Sequence, residues 1–199
     1  VINKHGETIA AAVTNLDVHD IARAAKTYGV RKYYVVTPLV DQITLVHRLI
    51  AHWTSGAGAA YNPQRGHALK LVQVKRNLAE AVANIRGENP AGGRPRTVVT
   101  SARSQKPAIG FADLRRLLHG GAPYLLVFGT AWGLPQPLMA AADFILEPLK
   151  GPGAYNHLSV RSAAAAVLDR LMGDRSDCRD AAAANLTGGS DFRPRDERQ

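Results

Sequence analysis

Cysteine is nearly absent from this 199-residue chain, where Cys178 stands alone. One cysteine excludes an intramolecular disulfide framework and a cysteine zinc site, and it fits a reducing, cytoplasmic location. Long apolar runs are missing too, and none approaches the ~20 residues that span a bilayer. No basic stretch followed by an apolar one marks the start as a signal peptide. The first residue is Val1 rather than a methionine, the start expected of a fragment or a processed protein whose leading strand is missing. Asn185-Leu186-Thr187 matches a glycosylation acceptor, but nothing else points to secretion. Acidic residues are scarce: 16 Asp and Glu stand against 25 Lys and Arg, a formal net charge of +9. An excess of that size favours polyanionic partners, because cations beside phosphates release condensed counterions. The alternative is a solvated surface in which Arg has replaced Lys.

Several nucleotide and hydrolase signatures are also missing. No G-x-G-x-x-G follows a strand and no G-x-x-x-x-G-K-[ST] occurs, which argues against a Rossmann dehydrogenase or a P-loop enzyme. No G-x-S-x-G elbow occurs, which argues against an α/β hydrolase. His19-Asp20 has no further spaced ligands, so it reads as a capped helix start and no metal is expected.

What is present is alternation. Strands are expected at 8–14, 32–38, 68–74, 96–102, 124–129 and 143–148. Helices are expected at 17–29, 42–53, 77–87, 111–120, 137–142 and 159–171, the last starting at Ser159 or Ser162. Asp17 is the candidate cap of the first helix and Gly29 the residue past its end. Strand-helix alternation predicts an α/β fold, a parallel sheet with helices on both faces. Strands such as "LLVF" are apolar nearly throughout, as suits a sheet covered twice. Ligands in such sheets sit at the carboxyl ends of strands, here Thr37-Pro38, Thr100-Ser101, Phe128-Gly129-Thr130 and Glu147-Pro148. Residues 1–172 read as one domain. Residues 173–199 are polar and mixed in charge, and read as a disordered tail with a short helix at "DAAAANL".

Three segments after strands carry candidate chemistry. In "TNLDVHDIARAAKTYGV" (14–30), helical spacing puts His19, Arg23 and Lys26 on one face, either a plain basic surface or an arginine aimed at a phosphate or ribose. In "VFGTAWGLP" (127–135), two glycines flank Trp132 and allow a ligand close to the backbone; Trp132 itself is expected in the core. In "EPLKGPGAYNHLSVRSAAAAVLDRL" (147–171), a loop rich in glycine and proline runs straight into an alanine-rich helix, and Tyr155 is the exposed candidate for stacking on a base.

Together these segments resemble the SPOUT superfamily of knotted, S-adenosylmethionine-dependent RNA methyltransferases, within it the SpoU-like enzymes. Arg23 stands six residues before Gly29-Val30, as in the first SpoU motif. "LLVFGTAWGL" is similar to the second, and "ILEPLKGPGAYNHLSVRSAAAAV" to the third. The phrases "TNLDVHDIAR" and "YNHLSVRSA" look like those of a bacterial SPOUT group sometimes fused to the tRNA guanine-N1 methyltransferase. The likeness covers about residues 1–172.

The resemblance implies a C-terminal deep trefoil knot, dimerisation through the knot region, and a methyl donor bent inside the knot. The implied S-adenosylmethionine contacts are Thr100, Ser101, Phe128, Gly129, Gly133, Leu146, Pro148, Gly151, Asn156, His157, Leu158, Ser159 and Val160, with Leu146, Leu158 and Val160 as apolar walls. Arg23 would act on the acceptor, with His19 or Asp20 as base or as orienter of Arg23. Asn15, Arg23, Lys26, Tyr155 and Arg161 would meet RNA, with tRNA favoured over rRNA. The chain departs from the pattern in three places. Thr130 and Trp132 stand where many relatives have an acidic residue, Asp17 stands where SpoU-like enzymes have asparagine, and "NHLSV" replaces "SLNVS". Ribose 2′-O-methylation is the first expectation. Base-nitrogen methylation and a non-catalytic S-adenosylmethionine- or RNA-binding module are the alternatives, with an unrelated doubly wound enzyme behind them.

Overall fold

The computed structural model describes residues 1–10 and 12–174; most of the expected tail lies outside them. Two parallel ladders form its frame. β1 (Tyr33–Val36) pairs with β2 (Val72–Lys75), Tyr33 opposite Val72. β3 (Arg96–Val99) lies between β4 (Tyr124–Val127) and β5 (Phe144–Ile145). All these pairings are parallel, because every crossover runs through helix. α1 (Asn15–Thr27) precedes β1. α2 (Val40–Thr54), α3 (Ala57–Tyr61) and α4 (Pro63–Leu69) join β1 to β2. α5 (Leu78–Glu88), α6 (Phe111–Leu118) and α7 (Gln136–Ala141) make the remaining crossovers, and α8 (Val160–Met172) closes the described fold.

The ends of α1 show how local chemistry sets a boundary. Thr14, not Asp17, is the cap: its hydroxyl oxygen accepts the Asp17 N–H at 3.1 Å and donates to the Asp17 carboxylate at 2.5 Å. The expected start at 17 is therefore two residues late, and the expected cap three. Gly29 holds the place expected of it past the helix end. At φ +71° it lets Val30 N–H reach Ala25 O at 2.9 Å and Gly29 N–H reach Lys26 O at 3.3 Å, a paired closure that favours glycine.

Two other expectations change. Among the described residues of 8–14 no ladder strand forms; Thr8 has one isolated bridge, to Ile2, beyond an Asn3–Glu7 turn. The segment's short alanines offer little of the branched surface that stabilises a strand, and Thr8–Ala10 are exposed. The strand expected over 68–74 begins at Val72, and Ala68 and Leu69 end α4 instead. Asn62 caps that helix by accepting the Arg65 N–H at 3.0 Å, with Pro63 at its first turn, a start signal that outweighs the apolar run behind it.

The core is in two parts. Val18 and Ala22 of α1 pack with Val35, Val46, Leu69 and Val72. Val98, Leu114 and Leu146 pack with Val167 and Leu171 of α8. Asp143 ties β5 to β3 at the edge of the second. It accepts the Thr97 N–H at 2.7 Å and the Thr97 hydroxyl at 2.9 Å, and pairs with Arg94 at 2.6 Å. Burial would raise its pKa, but the bonds from Thr97 and the Arg94 guanidinium hold it below the ordinary value.

A carboxyl with a lowered folded pKa adds stability above its unfolded value and loses it as pH falls. Asp143→Ala should therefore cost about 1–3 kcal/mol at neutral pH by stranding the Thr97 N–H. The gap to wild type should narrow below about pH 4. Urea denaturation of both proteins across pH checks this.

Candidate functional site

The strand ends converge as the alternation predicts. Thr100 N–H and its hydroxyl both donate to Val127 O, at 3.0 and 3.1 Å, so β3 and β4 end at one level. Ser101 Oγ accepts the Arg103 N–H at 3.0 Å and turns the chain away. Leu146 N–H donates to Val99 O at 2.9 Å. Glu147 accepts the Phe111 N–H at 3.0 Å and so stands at the N-terminus of α6, where a carboxylate is favourable. From Pro148 the loop crosses to the end of β3, where Asn156 Nδ2 donates to Ala102 O at 2.9 Å. Tyr155 and His157 stack edge-on at 5.3 Å. The helix starts at Val160: Ser159 is its cap, accepting the Ser162 N–H at 3.3 Å.

The turn after β4 is the most constrained part. A Cβ at Gly129 would lie 3.0 Å from both the Gly133 carbonyl carbon and Leu134 Cγ, so any larger residue would press on the backbone of the turn. Ala131 sits at φ +52° and Gly133 at φ +108°, and a non-glycine residue there is strained. The N-terminal segment leans on the turn, with Ile2 N–H donating to Gly133 O at 3.0 Å and Trp132 N–H to Ile2 O at 3.2 Å. Thr130 Oγ1 is buried and has no hydrogen-bond partner, a state buried hydroxyls seldom keep. Trp132, expected in the core, is 57% exposed, on a turn whose backbone takes positive φ at Ala131 and Gly133 on either side of it.

The expected residues do not all meet. Thr100, Ser101, Phe128, Gly129 and Pro148 follow the ends of β3, β4 and β5, and Asn156 reaches the end of β3 through Ala102 O. Gly133 lies further along the turn after β4, and Ser159 caps α8. Gly151 and His157 are exposed in the loop, and Leu158 is 53% exposed. Leu146 is only 2% exposed; as a core residue it supports the region through its backbone and forms no open wall. Arg161, expected to meet RNA, pairs instead with Asp17 at 3.2 Å and Asp20 at 3.7 Å. That bridge brings the start of α8 to the start of α1, and Tyr28 bonds Asp169 at 3.0 Å near the other ends, so the two helices run parallel. Arg23 and Lys26 are exposed on α1, as is Asn15 at its start. His19 lies edge-on to Trp53 at 5.6 Å, with Nδ1 buried and unpartnered. Sequence reasoning missed Trp53, His52 and Arg65 around it. The signal was there in the spaced glycines and Asn-Pro of "SGAGAAYNPQRG".

S-adenosylmethionine suits this region. Thr130 offers a buried hydroxyl lacking a partner, Leu158 an open apolar side chain, and the strand ends a row of backbone groups. Residues 1–173 match the family described as SAM-dependent RNA methyltransferase. The chain is 45% identical over 174 residues to a tRNA (guanine-N(1)-)-methyltransferase of Oleidesulfovibrio alaskensis, covering 87% of this chain and 40% of that protein. It is 40% identical to an uncharacterized protein of Aquifex aeolicus, over 89% of this chain and 85% of that one. The SpoU methyltransferase AviRb of Streptomyces viridochromogenes has a similar fold, with a TM-score of 0.52 at 18% identity, over 86% of this chain and 57% of that one. The chain thus belongs to the S-adenosylmethionine-dependent RNA methyltransferases and has the parallel α/β fold of their SpoU branch. It spans about two-fifths of the length of the guanine methyltransferase relative.

His19 is held below its ordinary pKa of 6.5 by burial first and then by Arg65, with Arg23 and His52 adding to it against the opposing pull of Asp20. Its imidazole is neutral at pH 7. A base with a lowered folded pKa costs stability once the unfolded form takes up its proton. Stability should therefore fall as pH drops below about 6.5, and His19→Gln should flatten that slope. An NMR titration midpoint for His19 at or above 6.5 would contradict it.

Proposed function

We propose that this chain transfers a methyl group from S-adenosylmethionine to tRNA in the cytoplasm. The observation that carries the proposal is the convergence of the 100–102, 128–133 and 146–159 segments beside paired helix starts, with the Thr130 hydroxyl unpartnered among them. Bound there, S-adenosylmethionine supplies a sulfonium methyl open to in-line attack. The chain's own part is to hold and align. Gly129, Gly133 and the loop to Ser159 hold the donor with backbone groups, Leu158 and Val160 add apolar cover, and Thr130 completes a hydrogen bond. Arg23 faces solvent with no carboxylate partner among the described residues; it holds the acceptor nucleotide and favours its deprotonated form. His19 or Asp20, one turn earlier on α1, serves as base or orients Arg23. A loop lashed across the end of β3 supports a trefoil knot around residues 146–160, and a pairing of two chains through it.

Two acceptors are in question. The printed name of the Oleidesulfovibrio relative supports a base nitrogen, guanine N1. The spacing of Arg23 before Gly29-Val30 supports a ribose 2′-hydroxyl. Mass spectrometry of nucleosides from methylated tRNA distinguishes them.

Arg23→Ala should slow single-turnover methylation of tRNA about a hundredfold or more, with donor binding by calorimetry unchanged. A rate near wild type with the donor bound would remove Arg23 from the mechanism. Donor binding with no methyl transfer to any tRNA, even by wild type, would leave a binding module.

A further inference from the structure

The helices between β1 and β2 carry Trp53, His52, Arg65 and Tyr61, none of which the methyl-transfer reading uses, and His19 of α1 packs against them. Trp53, near the C-terminus of α2, is the centre of this cluster. His19 and His52 meet its ring edge-on, at 5.6 and 5.0 Å, and the Arg65 guanidinium of α4 lies 4.4 Å over the ring. Two glycines make this packing possible. A Cβ at Gly58 would fall 2.7 Å from Trp53 Cε3, and one at Gly66 would fall 2.5 Å from Trp53 O. Asn62 bonds the Arg65 N–H, so the backbone carrying Arg65 is fixed as well. Tyr61, the residue before that cap, is 87% exposed.

The charges around this cluster are unbalanced. Arg65 and Arg23 both lie close enough to His19 to disfavour its protonation, after burial itself. Neither has a carboxylate within ion-pair distance among the described residues. Arg161, by contrast, has two, and one of them is Asp20, the acid nearest this patch. A guanidinium fixed on an indole face loses little freedom when it meets a phosphate. An exposed tyrosine beside it is what an unpaired base stacks on.

We propose that Arg65 and Tyr61 form a contact site for the RNA strand beyond the target nucleotide, Arg65 taking a phosphate beside Arg23 and Tyr61 stacking on a base. The proposal rests on the reading of the chain as an RNA methyltransferase and extends the RNA track from α1 onto the α3–α4 turn.

The test is fluorescence anisotropy of the full chain with an unmodified tRNA pool over a salt series. Arg65→Gln should weaken binding and lower the slope of log affinity against log salt by about 0.7–0.9, one phosphate contact. Tyr61→Ala should weaken binding about tenfold with the slope unchanged. S-adenosylmethionine binding and melting temperature should stay at wild-type values in both variants. Wild-type tRNA affinity and slope in both variants overturn the contact site alone. A loss of tRNA binding matched by a loss of donor binding or a lower melting temperature also overturns it, because the residues would then be structural. Failure of the wild-type chain to bind tRNA at all overturns the RNA-methyltransferase reading with it.

Discussion

The bridge from Arg161 to Asp17 and Asp20 is the contact on which the arrangement of the site depends. It joins the first turns of α1 and α8, whose sequences lie 144 residues apart. Its partners are partly exposed, with 37% of the Arg161 side chain open to solvent. Such a pair contributes roughly 0–1 kcal/mol, far less than the burial of Val167, Leu168 and Leu171 on α8. Apolar packing therefore holds the helices together, and the bridge sets how they are aligned. Because Ser159 begins α8 and Asn15 begins α1, that alignment decides where the loop before α8 stands relative to Arg23.

The site divides by how each part is built. The proposed donor side is made of backbone, shaped by Gly129, Gly133 and the loop to Ser159, so it is specified by where side chains cannot be. The proposed acceptor side is made of side chains on α1, so it is specified by where charge is left uncompensated. Arg161, in the first turn of α8, is neutralised by two carboxylates, and Arg23, further along α1, has none among the described residues.

Much of this was legible in the sequence, and the rest failed for definite physical reasons. The parallel ladders follow from strand-helix alternation, and the end of α1 follows from Gly29. The strand-end residues Thr100, Phe128 and Gly129 stand where alternation puts them. The partner of Arg161 was not legible, because no periodicity links positions 17 and 161. Residues 8–14 read as a strand on apolar content, yet alanine lacks the bulk that makes a ladder. α4 was missed because residues 54–67 were given no element, although Pro63 opens the helix and Gly66 clears space for Trp53. Trp132 was expected inside on hydrophobicity alone, and it stands outside on a turn with positive φ on either side of it.

The Asn156 amide grips Ala102 through a main-chain oxygen. Every residue type carries that oxygen, so the fastening tolerates any change at 102 that keeps the backbone path. At 156 only a side chain with an amide of that reach can make it. The two ends of one hydrogen bond are thus under unequal constraint, and among relatives position 102 should drift while 156 stays put.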